Sequence, residues 1–151
     1  MRKVIMLAVL LSTAWVASYA QQPVEWKHWV KKITDKTFEL HMKATIKKGW
    51  HLYAQQQPKS GIAMPTTFAF TSNPLIVLNG KIKETGKLET SKDEMLGVEQ
   101  NYYSNSVDFV QVIQLKAKVK TNIGATAKYQ ACNDEMCLPM VVSKFTIKVD
   151  G

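Results

Sequence analysis

Beyond its second residue the sequence holds no arginine, and lysine supplies the rest of the basic charge. A nucleic-acid surface built from arginine forks and interleaved aromatic platforms is therefore not expected. Cysteine is nearly as scarce, with only Cys132 and Cys137 in 151 residues. Two thiols exclude a multi-bridge disulfide framework, and no Cys-x-x-Cys or His-x-x-x-His pair offers a defined metal site. Helical periodicity is also missing, since no window keeps apolar residues at three-to-four spacing beyond a turn or two. After residue 20 no apolar stretch approaches the roughly 20 residues needed to span a bilayer.

What is present begins with an export signal. Arg2 and Lys3 form a basic start, and Val4 to Val16 is apolar except for Ser12 and Thr13. Ser18-Tyr19-Ala20 then places small residues where a signal peptidase reads them. Residues 1–20 are expected to be a secretory signal peptide, too short and wrongly flanked for a membrane span. Cleavage after Ala20 would start the mature chain at Gln21, with no cysteine there to take a lipid. The expected product is soluble and lies outside the cytoplasm, and residues 21–151 make one domain with a substantial core. Without Arg2 and Lys3 the formal charge falls from +8 to +6. The surplus lysines, such as Lys81, Lys83, Lys116, Lys118 and Lys120, alternate with apolar residues as on the wet face of strands.

The dominant period is two. Phe38, Leu40, Met42, Ala44 and Ile46 alternate with polar neighbours, as do Val107, Phe109, Gln111, Ile113, Leu115, Ala117 and Val119. Phe145, Ile147 and Val149 repeat the pattern near the C-terminus. Shorter strands are expected at 24–30, 66–71, 75–78, 81–88 and 125–131, with turn residues such as Asn79-Gly80 between them. Seven or eight short strands argue for an all-β, antiparallel β-sandwich, immunoglobulin-like in plan. Thr90 to Ser106 is polar, breaks the pattern and reads as a long loop of the kind that often carries function.

Cys132 and Cys137 enclose only Asn133, Asp134, Glu135 and Met136. In an exported protein the two are expected to be oxidised together. A ring so short stabilises by roughly 2 kcal/mol in the chain-entropy model, which a domain of this size hardly needs. Three readings stay open on spacing alone: a staple that pins a hairpin, a labile disulfide that exchanges, and a copper(I) site using the cysteines with Met136, Met140, Met95 or His51.

The run Tyr129-Gln130-Ala131-Cys132-Asn133-Asp134-Glu135-Met136-Cys137-Leu138-Pro139 resembles the active-site segment of the amino-terminal domain of the thiol:disulfide interchange protein DsbD family. Gly49-Trp50-His51-Leu52-Tyr53 is similar to that family's aromatic strand end, and Asp93-Glu94-Met95-Leu96-Gly97 to its acidic cap loop. The resemblance implies an immunoglobulin-like sandwich with both cysteines at one end. It implies thiol–disulfide exchange with periplasmic thioredoxin-like proteins, with no cofactor and no metal. Carried over, Cys137 would form the mixed disulfide with a partner and Cys132 would resolve it. Asp93, Glu94 and Met95 would form a cap that shields the pair, with Tyr53 and His51 beside it. His51 stands where a tyrosine is more usual, Met95 replaces an aromatic residue, and Met140 replaces a second proline. The family's membrane conduit and thioredoxin-like domain do not precede Gly151, so a separate membrane electron donor is expected. Asp134 and Glu135 would raise a thiol's pKa, and Lys128 and His51 would act oppositely.

Overall fold

The alternation of apolar and polar residues is realised as eleven strands, with no helix among the described residues. The computed structural model describes residues 22–151, so the reading of residues 1–20 as a signal peptide lies outside it. In chain order the strands are β1 (Val24–Lys32), β2 (Thr37–Ile46), β3 (His51–Tyr53), β4 (Thr67–Phe70), β5 (Ile76–Gly86) and β6 (Glu89–Asp93). They continue with β7 (Val98–Tyr103), β8 (Ser106–Leu115), β9 (Lys120–Tyr129), β10 (Ala131–Cys132) and β11 (Val141–Asp150). They form three sheets, ordered β1-β2-β8-β5, β11-β9-β4 and β10-β3-β7-β6. Every pairing is antiparallel.

The first two sheets bury their inner faces in one core, and the period-two residues supply it. Phe38, Leu40, Met42 and Ala44 of β2 meet Val107, Phe109, Ile113 and Leu115 of β8 there. Ile123, Ala125, Ala127 and Tyr129 of β9 join Phe145, Ile147 and Val149 of β11 from the other side. Trp26 lies where the layers meet, with ring centroids 5.3 Å from Tyr129, 5.5 Å from Phe145, 5.8 Å from Phe109 and 6.0 Å from Phe68. Offset and edge-on aromatic pairs at such spacings tie strands of both sheets together.

Three expectations from the sequence are corrected. Residues 90–106 are not a loop, because β6 and β7 pair there over Glu89–Asp93 and Val98–Tyr103. The apolar alternation is missing because β6 lies at a sheet edge with no buried residue. Asn79-Gly80 does not separate two strands. It forms a bulge inside the continuous β5, where Gly80 takes φ +73° and the register against β8 shifts between Asn79 and Lys83. Buried Gln111 of β8 serves that bulge, its Nε2 donating to the Asn79 and Gly80 carbonyls at 3.3 Å each. Finally, β8 stops at Leu115 rather than running to Val119. Eleven strands replace the expected seven or eight because β3, β6, β7 and β10 carry no clear alternation, while two expected strands merge in β5.

Candidate functional site

The third sheet carries Cys132 in β10, and Cys137 follows it in the next loop. After Tyr129 the chain leaves β9, passes Gln130 and enters β10, which moves Cys132 onto the edge of β3. Paired residues in an antiparallel ladder share a face. Cys132 stands opposite His51, Tyr53 opposite Tyr102, Tyr102 opposite Glu89, and Gln100 opposite Ser91. Alternation turns Leu52, Ala131 and Tyr103 the other way, into the core. One sheet face thus collects Cys132, His51, Tyr53, Tyr102, Gln100 and Ser91, and these line an open cleft of about 280 Å³ with Asn133, Asp134 and Cys137.

Cys132 and Cys137 are joined in a disulfide. Their exposures differ sharply, since Cys132 is 1% exposed and Cys137 lies on the surface. Asn133 shapes the loop between them, its Oδ1 accepting the N–H groups of Glu135 at 2.9 Å and Met136 at 2.7 Å. The Asn133 N–H donates to the Met136 carbonyl at 2.9 Å. Beyond the second cysteine, the Leu138 N–H donates to the Ala131 carbonyl at 2.9 Å, and Gln130 Nε2 donates to the Leu138 carbonyl at 3.0 Å. The loop is closed by these bonds as well as by the disulfide.

His51 is half-buried between tyrosines, with centroids 5.2 Å from Tyr53 and 4.9 Å from Tyr102. Burial pushes its pKa below the usual 6.5, opposed by the carboxylates of Asp134 and Glu89. Burial also pushes the Tyr53 phenol up, so it stays protonated. The site is a disulfide between one exposed and one buried cysteine, beside a neutral imidazole.

Of the residues the sequence points to, Cys132, Cys137, His51 and Tyr53 come together. Asp93, Glu94 and Met95 lie at the tip of the β6–β7 hairpin and do not line the cleft. Asp93 Oδ1 accepts the Met95 and Leu96 N–H groups at 3.0 Å each, and Gly97 completes the turn at φ +63°. That turn aims Met95 outward at 97% exposure, so Met95 does not cover the disulfide in this structure. Lys128 is exposed on β9 and does not line the cleft either. Sequence reasoning missed Ser91, Gln100 and Tyr102. The signal available was the spacing of two within Gln100 and Tyr102, which only a paired strand makes meaningful.

No helix among the described residues is long and apolar enough to cross a membrane. No curated protein matches the chain in sequence. Among solved structures, the reduced DsbD N-terminal domain of Neisseria meningitidis is similar at 16% identity and a TM-score of 0.54, covering 83% of this chain and 86% of that one. The N-terminal periplasmic domain of ScsB from Proteus mirabilis is similar at 11% identity and a TM-score of 0.58, covering 91% of this chain but 50% of that one. At such identities the likeness concerns the fold, an immunoglobulin-like β-sandwich. The family model of the thiol:disulfide interchange protein DsbD, N-terminal, matches residues 20–148, and the chain belongs to that family.

Proposed function

We propose that this protein performs thiol–disulfide exchange in the periplasm, passing reducing equivalents through Cys132 and Cys137 to thioredoxin-like partners. The observation that carries this reading is the unequal exposure of the two bonded cysteines. Exchange proceeds by in-line attack of a thiolate on one sulfur of a disulfide, so the accessible sulfur is the one that enters the mixed disulfide. Here that is Cys137, with Cys132 sheltered behind it as the resolving group.

A purely structural role has little to do in this loop. Its ends are already joined by the Leu138 to Ala131 and Asn133 to Met136 hydrogen bonds. In the reduced protein the Cys137 thiolate attacks the partner's disulfide and one partner sulfur leaves as thiolate; Cys132 then attacks the Cys137 sulfur, forming the Cys132–Cys137 bond and releasing the second partner sulfur as thiolate. Two electrons pass from this dithiol to the partner's disulfide. Residues 1–20 act as the export signal that brings residues 21–151 to that compartment. Asp93 and Glu94, at the tip of the β6–β7 hairpin, add negative charge that discourages indiscriminate thiolate attack.

Replacing Cys132 with Ala tests the reading. With Cys137 left free and no resolving thiol, the reduced variant is expected to accumulate a mixed disulfide with a periplasmic thioredoxin-like protein on non-reducing gels. Absence of the adduct, together with a wild-type disulfide that a glutathione buffer cannot reduce, would sink the exchange role.

A further inference from the structure

We propose that His51 is the proton acceptor for the Cys132 thiol when the mixed disulfide on Cys137 is resolved. This role rests on the exchange reading above. His51 stands directly opposite Cys132 in the β3–β10 ladder. Directly opposed residues hold their Cβ atoms about 5 Å apart on one face. Both residues open into the same cleft as Cys137.

Cys132 needs such a partner because it is 1% exposed. An unperturbed thiol with pKa about 8.5 is only about 3% ionised at pH 7, and burial lowers that fraction further. The nucleophile is the thiolate, so proton removal limits the resolving step unless a base is at hand. Among the groups facing His51, burial keeps the Tyr53 phenol protonated, and Tyr102 presents a second phenol. Asp134 of the cysteine loop and Glu89 of β6 face it as carboxylates. Both stabilise an imidazolium once it forms. Imidazole is the one group there whose proton affinity matches the task.

The Cys132 S–H gives its proton to His51, and the new thiolate attacks the Cys137 sulfur. The Cys132–Cys137 bond forms as the Cys137–partner bond breaks. The partner sulfur leaves as a thiolate and takes the proton from the imidazolium. This protein's dithiol is oxidised and the partner's disulfide is reduced.

The experiment uses the reduced full chain mixed with 5,5′-dithiobis(2-nitrobenzoate) in a stopped-flow spectrophotometer. Thionitrobenzoate is released once when Cys137 attacks and again when Cys132 resolves, and Cys132→Ala, which loses only the second phase, assigns the two. For His51→Gln the first phase is expected to hold within about twofold, while the second slows by about tenfold or more at pH 7. The wild-type second phase should be flat around neutrality and fall as pH drops through the His51 pKa, below 6.5. In the variant it should instead rise steadily with pH, following thiol ionisation alone. His51→Phe, which keeps a ring against Tyr53 and Tyr102, is expected to match His51→Gln and separates proton transfer from packing. An unchanged second phase, or an equal loss in both phases, would overturn the role of His51 while leaving exchange intact. A wild-type protein with no first phase would overturn both readings.

Discussion

Asn133 holds the redox loop at the level of single atoms. Its side-chain oxygen accepts two backbone N–H groups, so the four residues between the sulfurs form a closed turn. Each such bond contributes about 1 kcal/mol net, and partial exposure of Asn133 reduces that. Asn133→Ala is therefore expected to cost about 1 kcal/mol, measured as a lower urea midpoint in both the oxidised and the reduced protein. A loss confined to the reduced protein would mean that the disulfide alone shapes the turn. The cysteines were legible at this scale because Cys132 and Cys137 are the only thiols and sit five positions apart in a recognisable run. His51 was legible only as a neighbour. That it faces Cys132 across a ladder depends on the register of two short strands that no local pattern announces.

Among the elements, the β6–β7 hairpin is where local pattern and structure part most widely. Strand alternation is visible in a sequence when one face is buried, and β6 buries neither face. The turn residues carry the information instead. Asp93 Oδ1 accepts the backbone N–H groups of Met95 and Leu96, and Gly97 adopts a left-handed φ of +63° with no atom crowding the place of a Cβ. Gly97→Ala should cost about 1 kcal/mol of stability, from backbone strain alone, in thermal or urea unfolding. Met95→Ala, at the same tip, should stay within about 0.5 kcal/mol of wild type, because an exposed side chain contributes no packing. A loss above that from Met95→Ala would show that the methionine packs against the body of the protein in solution. β5 teaches a related lesson. Asn79-Gly80 has the composition of a hairpin turn, yet it is absorbed as a bulge because β8 offers a continuous partner and Gln111 reaches the bulge carbonyls.

For the molecule as a whole, the disulfide and the core are largely separate sources of stability. The core draws chiefly on the β1-β2-β8-β5 and β11-β9-β4 sheets, joined by Leu52, Tyr103 and Ala131 of the third, while the disulfide closes a short loop beyond β10. Reduction with a dithiol reagent is expected to lower stability by about 2 kcal/mol and to leave the circular dichroism spectrum of the fold intact. Global unfolding on reduction would mean that the bridge is a structural staple. That separation suits a redox protein, whose two states must share one scaffold so that a partner meets the same surface in each.

The sequence by itself determined the class of fold and the pair of sulfurs. Inner-face residues at spacing two, such as Phe38 to Ile46 and Phe145 to Val149, leave an antiparallel sandwich as the way to bury one face of each strand. Oxidised cysteines this close in the chain can meet without help from the rest of the protein. What only tertiary structure decided is which sulfur faces solvent and which side chain faces the other. Those follow from β10 crossing to the β3 edge, which buries Cys132 against His51 and leaves Cys137 outside. Pairing between strands about 80 residues apart is set by the sum of many distant contacts rather than by any local residue preference.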